Sequence, residues 1–211
     1  MKLTSAPFFS CFLILNFVTY SLYGGESVSI KLEIERALGR GVEWITSEQN
    51  NSSGQWGEAE YPALTALALR ATMGHPDLAV VQKYANQQAM GFSFILSKVQ
   101  SDGGIYGKGL ASYNTAICMM AMIQSKDPEY NDIIKSARRF LINQQSDFDR
   151  KGQRDNVFDG GVGYGSRWAH SDLSNTHLAM EALYYAKKSF KSDEGDDLDL
   201  DWDAAISFVS K

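Results

Sequence analysis

Apolar positions along this chain recur at three- and four-residue intervals, the period of an amphipathic helix. Residues 31–48 place Leu32, Ile34, Leu38, Val42 and Ile45 on one helical face. Residues 63–73 are apolar nearly all round, which predicts a helix buried on several sides. The contrast repeats: 81–98 with 112–125, then 131–144 with 173–187, each pairing an amphipathic segment with a more apolar one. His75-Pro76-Asp77 and Asp127-Pro128-Glu129 punctuate the joins, because proline stops a helix and a following acid suits the next N-terminus. His75 reads as a turn residue. No segment alternates convincingly as a strand does, and the predicted fold class is all-α, built from αα-hairpins.

The hairpins also share residues. Trp44 and Phe94, Trp56 and Tyr106, Gly57 and Gly107, and Thr65 and Thr115 are each 50 positions apart. Four anchors in one register mark an internal repeat. The first unit runs Trp44, Gln49, Gly54-Gln55-Trp56-Gly57, Thr65. The second runs Phe94, Gln100, Gly103-Gly104-Ile105-Tyr106-Gly107, Thr115. A third has a longer middle: Phe140, Gln145, Gly160-Gly161-Val162-Gly163-Tyr164-Gly165, Thr176. A fourth opens at Ala204 with Ile206, Phe208 and Val209, which gives about three and a half repeats. Such units stack as an open solenoid or close into a ring, and periodicity alone does not choose.

The stretch Arg40-Gly41-x-x-Trp44-Ile45-x3-Gln49-x4-Gly54-x-Trp56 resembles the QW motif of squalene and oxidosqualene cyclases. The later copies are degenerate, with Gln100 one residue late and Tyr106 and Tyr164 in place of the last Trp. The Gln-x-Asp-Gly-Gly and Gly-x-Tyr-Gly pieces are similar to those of prenyltransferase β subunits. The resemblance covers roughly residues 31–211 and implies a terpenoid-cyclase and prenyltransferase αα-toroid, here of partial length. It also implies that Trp44, Gln49, Trp56, Gln100, Tyr106, Gln145 and Tyr164 are braces, each Gln bonding backbone at a helix end. Elementary chemistry agrees, since helix termini leave donors and acceptors that an amide can satisfy.

The first residues change the picture of where the protein works. Lys2 is the only charge before Glu26, and Phe8 to Val18 is a short apolar core, the order of a secretory signal peptide. We expect residues 1–24 to be removed at a site near Ser21, Gly24 or Gly25, leaving a toroid domain at 25–211 in a secreted or periplasmic protein. An uncleaved anchor is the alternative. No later apolar run approaches the roughly 18 residues that span a bilayer. Losing Lys2 shifts the formal charge from −5 to −6, and with a pI near 5.2 nothing marks a nucleic-acid surface. Cleavage leaves Cys118 alone, so no intrachain disulfide forms, and its apolar neighbours predict plain core packing.

Catalytic signatures of the resembled families are missing. There is no Asp-x-Asp-Asp, whose crowded carboxyls would yield a strong acid. Asp196-Asp197-Leu198-Asp199-Leu200-Asp201-Trp202-Asp203 alternates instead, and reads as a loop capping the helix at Ala204. A Ca²⁺ loop is the sharper reading, but Trp202 stands where the turn glycine belongs. Asp172-Leu173-Ser174-Asn175-Thr176-His177 is similar to the zinc-binding Asp-x-x-His-Thr of prenyltransferases, with Asn175 in place of the histidine. No metal or other cofactor is therefore expected.

What remains is the long loop 146–171, which mixes acids, arginines and a histidine. Asp155, Asp159, Arg167 and His170, with Asp172 and His177 beyond it, are the candidate catalytic residues. Elaborated turn chemistry competes for the first four, and a helix cap or core position for His177. Three functions follow. One is an exported binding or scaffold module, with an apolar isoprenoid-like ligand or a protein as its partner. Another is an enzyme on an isoprenoid, and a third, by analogy of fold, is a polysaccharide lyase.

Overall fold

Eight helices and one short 3₁₀ turn account for the regular structure of the computed structural model, which describes residues 28–165, 170–190 and 198–211. They are α1 (Val28–Ser47), α2 (Pro62–Met73), α3 (Leu78–Lys83), α4 (Ala85–Leu96), α5 (Ala111–Ser125), α6 (Asn131–Ile142), α7 (Leu173–Ser189) and α8 (Trp202–Val209). No strand occurs among the described residues; the chain is all-α. The region expected to be one helix at 81–98 is two, broken at Tyr84, whose ψ of 19° departs from the helical value. The signal segment 1–24 lies outside the described residues, as do Arg167, Asp196 and Asp197.

The chain divides into two units, residues 1–41 and 42–211. Within the first, the described residues form only the beginning of α1, and Leu32, Ile34 and Leu38 are exposed. The apolar stripe read from the sequence exists there, but a lone helix offers it no second surface in that unit. Within the second, Val42 and Thr46 are buried.

The core of the second unit is built on α5. It packs on α2, α6 and α7, and α2 also packs on α4. Eleven of the fifteen residues of α5 are buried, including the run Asn114–Met122. Small and flexible side chains fill this helix (Ala111, Ala116, Cys118, Met119, Met120, Ala121, Met122), so its neighbours approach closely all round. Cys118 is fully buried, and desolvation pushes its thiol well above the ordinary range. Arg70 on α2 reaches over α5: its Nε donates to Gln124 Oε1 at 3.4 Å, and a guanidinium nitrogen lies 4.0 Å from Glu181 of α7.

Three loops join first helices to second helices, and each is braced alike. The loop backbone N–H of Trp56, Ile105 or Val162 donates to a buried threonine hydroxyl on the following helix: Thr65, Thr115 and Thr176, at 3.0, 2.8 and 2.8 Å. Two residues earlier sits a glycine with φ near +80°: Gly54, Gly103 and Gly160. A Cβ on any of them would strike the carbonyl of the next first helix, Met90, Ser136 or Ala204, at 2.4, 2.8 or 2.2 Å. Glycine is required twice over here, by its left-handed backbone and by close approach.

This geometry corrects the register. Asn50, Gln100 and Ser146 each accept from the loop glycine and donate to the carbonyl one residue past it. Gln100 is therefore the counterpart of Asn50, while Val99 is the counterpart of Gln49 and Gln145. Ile105 and Val162, rather than Tyr106 and Tyr164, stand opposite Trp56.

Candidate functional site

The seven expected brace residues divide by what they touch. Gln49 donates to Gly54 O in its own loop and to Gln87 O at the start of α4, at 2.8 and 2.9 Å. Gln145 does the same to Gly160 O and Asp201 O, at 3.0 and 2.9 Å, and also accepts from Asp201 N–H. Each ties a loop to the next first helix. Gln100, displaced by one position, donates only within its own loop, to Lys98 O and Tyr106 O. Trp56 is buried and its indole N–H donates to Ile45 O at 2.6 Å, so the loop is clamped to α1. Trp44 is 64% exposed, unlike its counterparts Phe94 and Phe140, and is not a brace. Tyr106 stacks obliquely on Phe140 and donates to Asp102 at 2.7 Å. That bond and burial push its phenol up to about 12. Tyr164 is half-buried, and its carbonyl accepts from Ser112 N–H at 3.2 Å.

The third loop leaves the others at Ser146 and rejoins them at Gly161. Ser146 N–H donates to Gly161 O at 2.8 Å and Gly160 N–H to Ser146 O at 2.9 Å, closing a neck. Asp159, buried just inside it, accepts from Phe148 N–H at 2.7 Å and Asn156 N–H at 2.8 Å. Asp147 accepts from Gly152 N–H, Asp155 from Arg150 N–H, and Asp149 from the Asn156 amide. These four carboxylates fold the loop. Exposed on its outside are Phe148, Val157 and Phe158, with His170 edge-on to Phe158 at 6.5 Å.

Asp172 is the N-cap of α7, accepting from Asn175 N–H at 2.9 Å. Burial alone would raise its carboxyl, but the Ser174 hydroxyl and the Asn175 donors hold it below its ordinary value. His177 is exposed on α7 and serves neither as cap nor as core. Asn175 takes the position that Asn114 takes on α5. Asn114 Oδ1 caps α2 by accepting from Ala63 N–H, whereas Asn175 Oδ1 is buried without a partner. The corresponding donor, Ser112 N–H, goes to Tyr164 O instead.

Asp155, Asp159, Asp172 and His177 share no hydrogen bond with one another among the described residues, so they form no acid–base pair. Nor do the described residues contain a group of three or more His, Cys, Asp and Glu placed to hold a metal ion. Of the acidic run before α8, Asp201 caps the helix by accepting from Ala204 N–H, and Asp199 pairs with Lys187 at 2.7 Å and with Arg138 at 3.5 Å. No described helix is long and apolar enough to cross a membrane.

Between the third loop and the start of α8 lies a cleft of about 400 Å³. Gln145, Asp159, Gly160 and Asp201 line it, together with the exposed Lys151, Gln153 and Arg154. The size is that of a small-molecule site, roughly 300–1,000 Å³. Lys151 and Gln153 were not singled out by sequence. The signals were the length of the loop and the density of opposite charges in Asp147–Asp155, neither of which picks out these two residues. No family model, no curated protein and no solved structure matches this chain.

Proposed function

We propose that this chain is an exported helical-hairpin repeat protein of the αα-toroid type that works as a binding module. The leader-like sequence of residues 1–24 supports export. Support for the toroid type comes from the loop brace repeated in three hairpins, with the Gln and Trp of the QW motif together in the first, at Gln49 and Trp56. Those residues are consumed in holding loops to helices, and the candidate acids are consumed in folding the third loop or capping α7.

One observation carries the binding reading. The third loop keeps the neck and brace of the other two and uses its extra residues to wall a cleft of about 400 Å³ against the start of α8. Loops enlarged on a rigid scaffold are where binding surfaces sit. The exposed polar side chains of its lining suit a polar ligand better than the isoprenoid implied by the resemblance.

The test is incubation of the purified protein with squalene and with polygalacturonate, followed by mass spectrometry of the products. No turnover of either is expected, and turnover of either overturns the reading.

A further inference from the structure

The third loop sorts its charges. Asp147, Asp149, Asp155 and Asp159 are all tied to donors of the loop itself. Arg150, Lys151 and Arg154 have side chains that make no hydrogen bond or salt bridge among the described residues, and all three are exposed. Each acid is thus engaged by the loop's own N–H donors, although only Asp159 is buried, whereas the side chains of the three cations have no such partner among the described residues.

Two of those cations, Lys151 and Arg154, line the cleft, and Gln153 between them adds an amide donor. The acids of the lining are Asp147, Asp159 and Asp201. Asp147 faces Gly152 N–H with both oxygens, at 3.2 and 3.0 Å. Asp159 accepts two backbone N–H bonds, and Asp201 caps α8, where the helix dipole offsets a negative charge. Each acid thus accepts at least one backbone N–H bond, while no hydrogen bond or salt bridge among the described residues engages the side chains of Lys151 and Arg154. The side-chain donors of Lys151, Gln153 and Arg154 are unused among the described residues, which suits a ligand that supplies acceptors and a negative charge.

From this asymmetry we propose that the cleft binds a small ligand bearing an oxyanion, a carboxylate or a phosphate, held by Lys151 and Arg154 with Gln153 beside them. A guanidinium fork with a lysine point charge recognises both groups. The proposal rests on the binding-module reading and deepens it by naming the ligand chemistry. Contacts with exposed side chains are screened by salt, so affinity falls as ionic strength rises.

The test is titration of the full chain at low ionic strength with citrate, pyrophosphate and the neutral sugar trehalose, followed by amide ¹H–¹⁵N spectra. Citrate, pyrophosphate or both should shift the amides of Lys151, Gly152, Gln153 and Arg154, and which of them binds separates a carboxylate source from a phosphate one. The double variant Lys151→Ala/Arg154→Ala should weaken that binding by about ten-fold or more. Arg150→Ala, which removes one positive charge outside the cleft, should leave it within about two-fold. Because these side chains are exposed and partnerless, all variants should retain the parent thermal transition, and Lys151→Gln/Arg154→Gln repeats the test with the side-chain bulk kept. Absence of shifts at these amides with either anion overturns the proposal. So do shifts that survive the double variant, or equal losses in Arg150→Ala. Trehalose binding with no anion binding overturns the oxyanion while leaving the module reading standing, which only substrate turnover overturns.

Discussion

The first and third loops do the same structural work at very different lengths. From Gln49 to its acceptor Gly54 is five residues; from Gln145 to Gly160 is fifteen. Both loops nevertheless end on a left-handed glycine pressed against the next first helix, and both hand a backbone N–H to a buried threonine. The difference teaches that the brace needs only its ends. Ten additional residues bulge out between fixed points, and closing a longer loop costs only about 0.6 kcal/mol per doubling of length. The scaffold therefore tolerates a change of contents without a change of frame.

The severest way to break this comparison is at the glycines. Gly54→Ala and Gly160→Ala should each cost about 2–4 kcal/mol by urea denaturation, since strained backbone and overpacking add. A large loss at Gly54 with none at Gly160 would mean the long loop does not use the same anchor. Next come the threonines. Thr65→Val, Thr115→Val and Thr176→Val each keep the shape but strand a buried N–H, for about 1–3 kcal/mol apiece. Small losses at all three would remove the brace as an explanation of the repeat.

The glutamines should separate by position. Gln49→Leu and Gln145→Leu each break a link to the following helix and should cost about 1–2 kcal/mol. Gln100→Leu, which loses only bonds within its own loop, should cost about 0.5–1 kcal/mol. Equal losses at all three would contradict the shifted register. The smallest effect expected is from the cap of α7. Asp172→Ala should cost about 1 kcal/mol at neutral pH. The folded carboxyl titrates below its ordinary 3.8, so its contribution is complete above that value and is lost as pH falls through the lower folded one. The gap between parent and variant in thermal melts should close in that acid range; a gap that persists below it would exclude the charge as its origin.

Much of the frame was legible because it repeats. Trp56, Gln49 and Thr65 announce the first loop, and the absence of charged residues places α5 in the interior, whereas α2 leaves Leu64 and Leu67 exposed and α7 leaves Tyr184 and Tyr185 exposed. The one-residue slip at Gln100 was not legible. A glutamine next to Val99 looks like the brace, and only the path of the backbone reveals that it occupies the place of Asn50. Trp44 misled for a different reason: a motif match marks a position, but whether something covers that side chain depends on tertiary neighbours. The cleft was hidden more deeply. The length of the loop marks it and Asp155 and Asp159 were candidates, but sequence does not tell which charges are spent on backbone N–H groups and which stay free.

Cys118 gives the buried centre of α5 a further use. Its thiol is enclosed on every side and disfavoured as a thiolate, so a thiol reagent reaches it only when the helices part. The labelling rate then counts openings of the whole stack instead of the chemistry of one sulfur. Followed at Cys118 separately from Cys11, a native sulfur becomes a clock for how often the core comes undone, readable without any engineered probe.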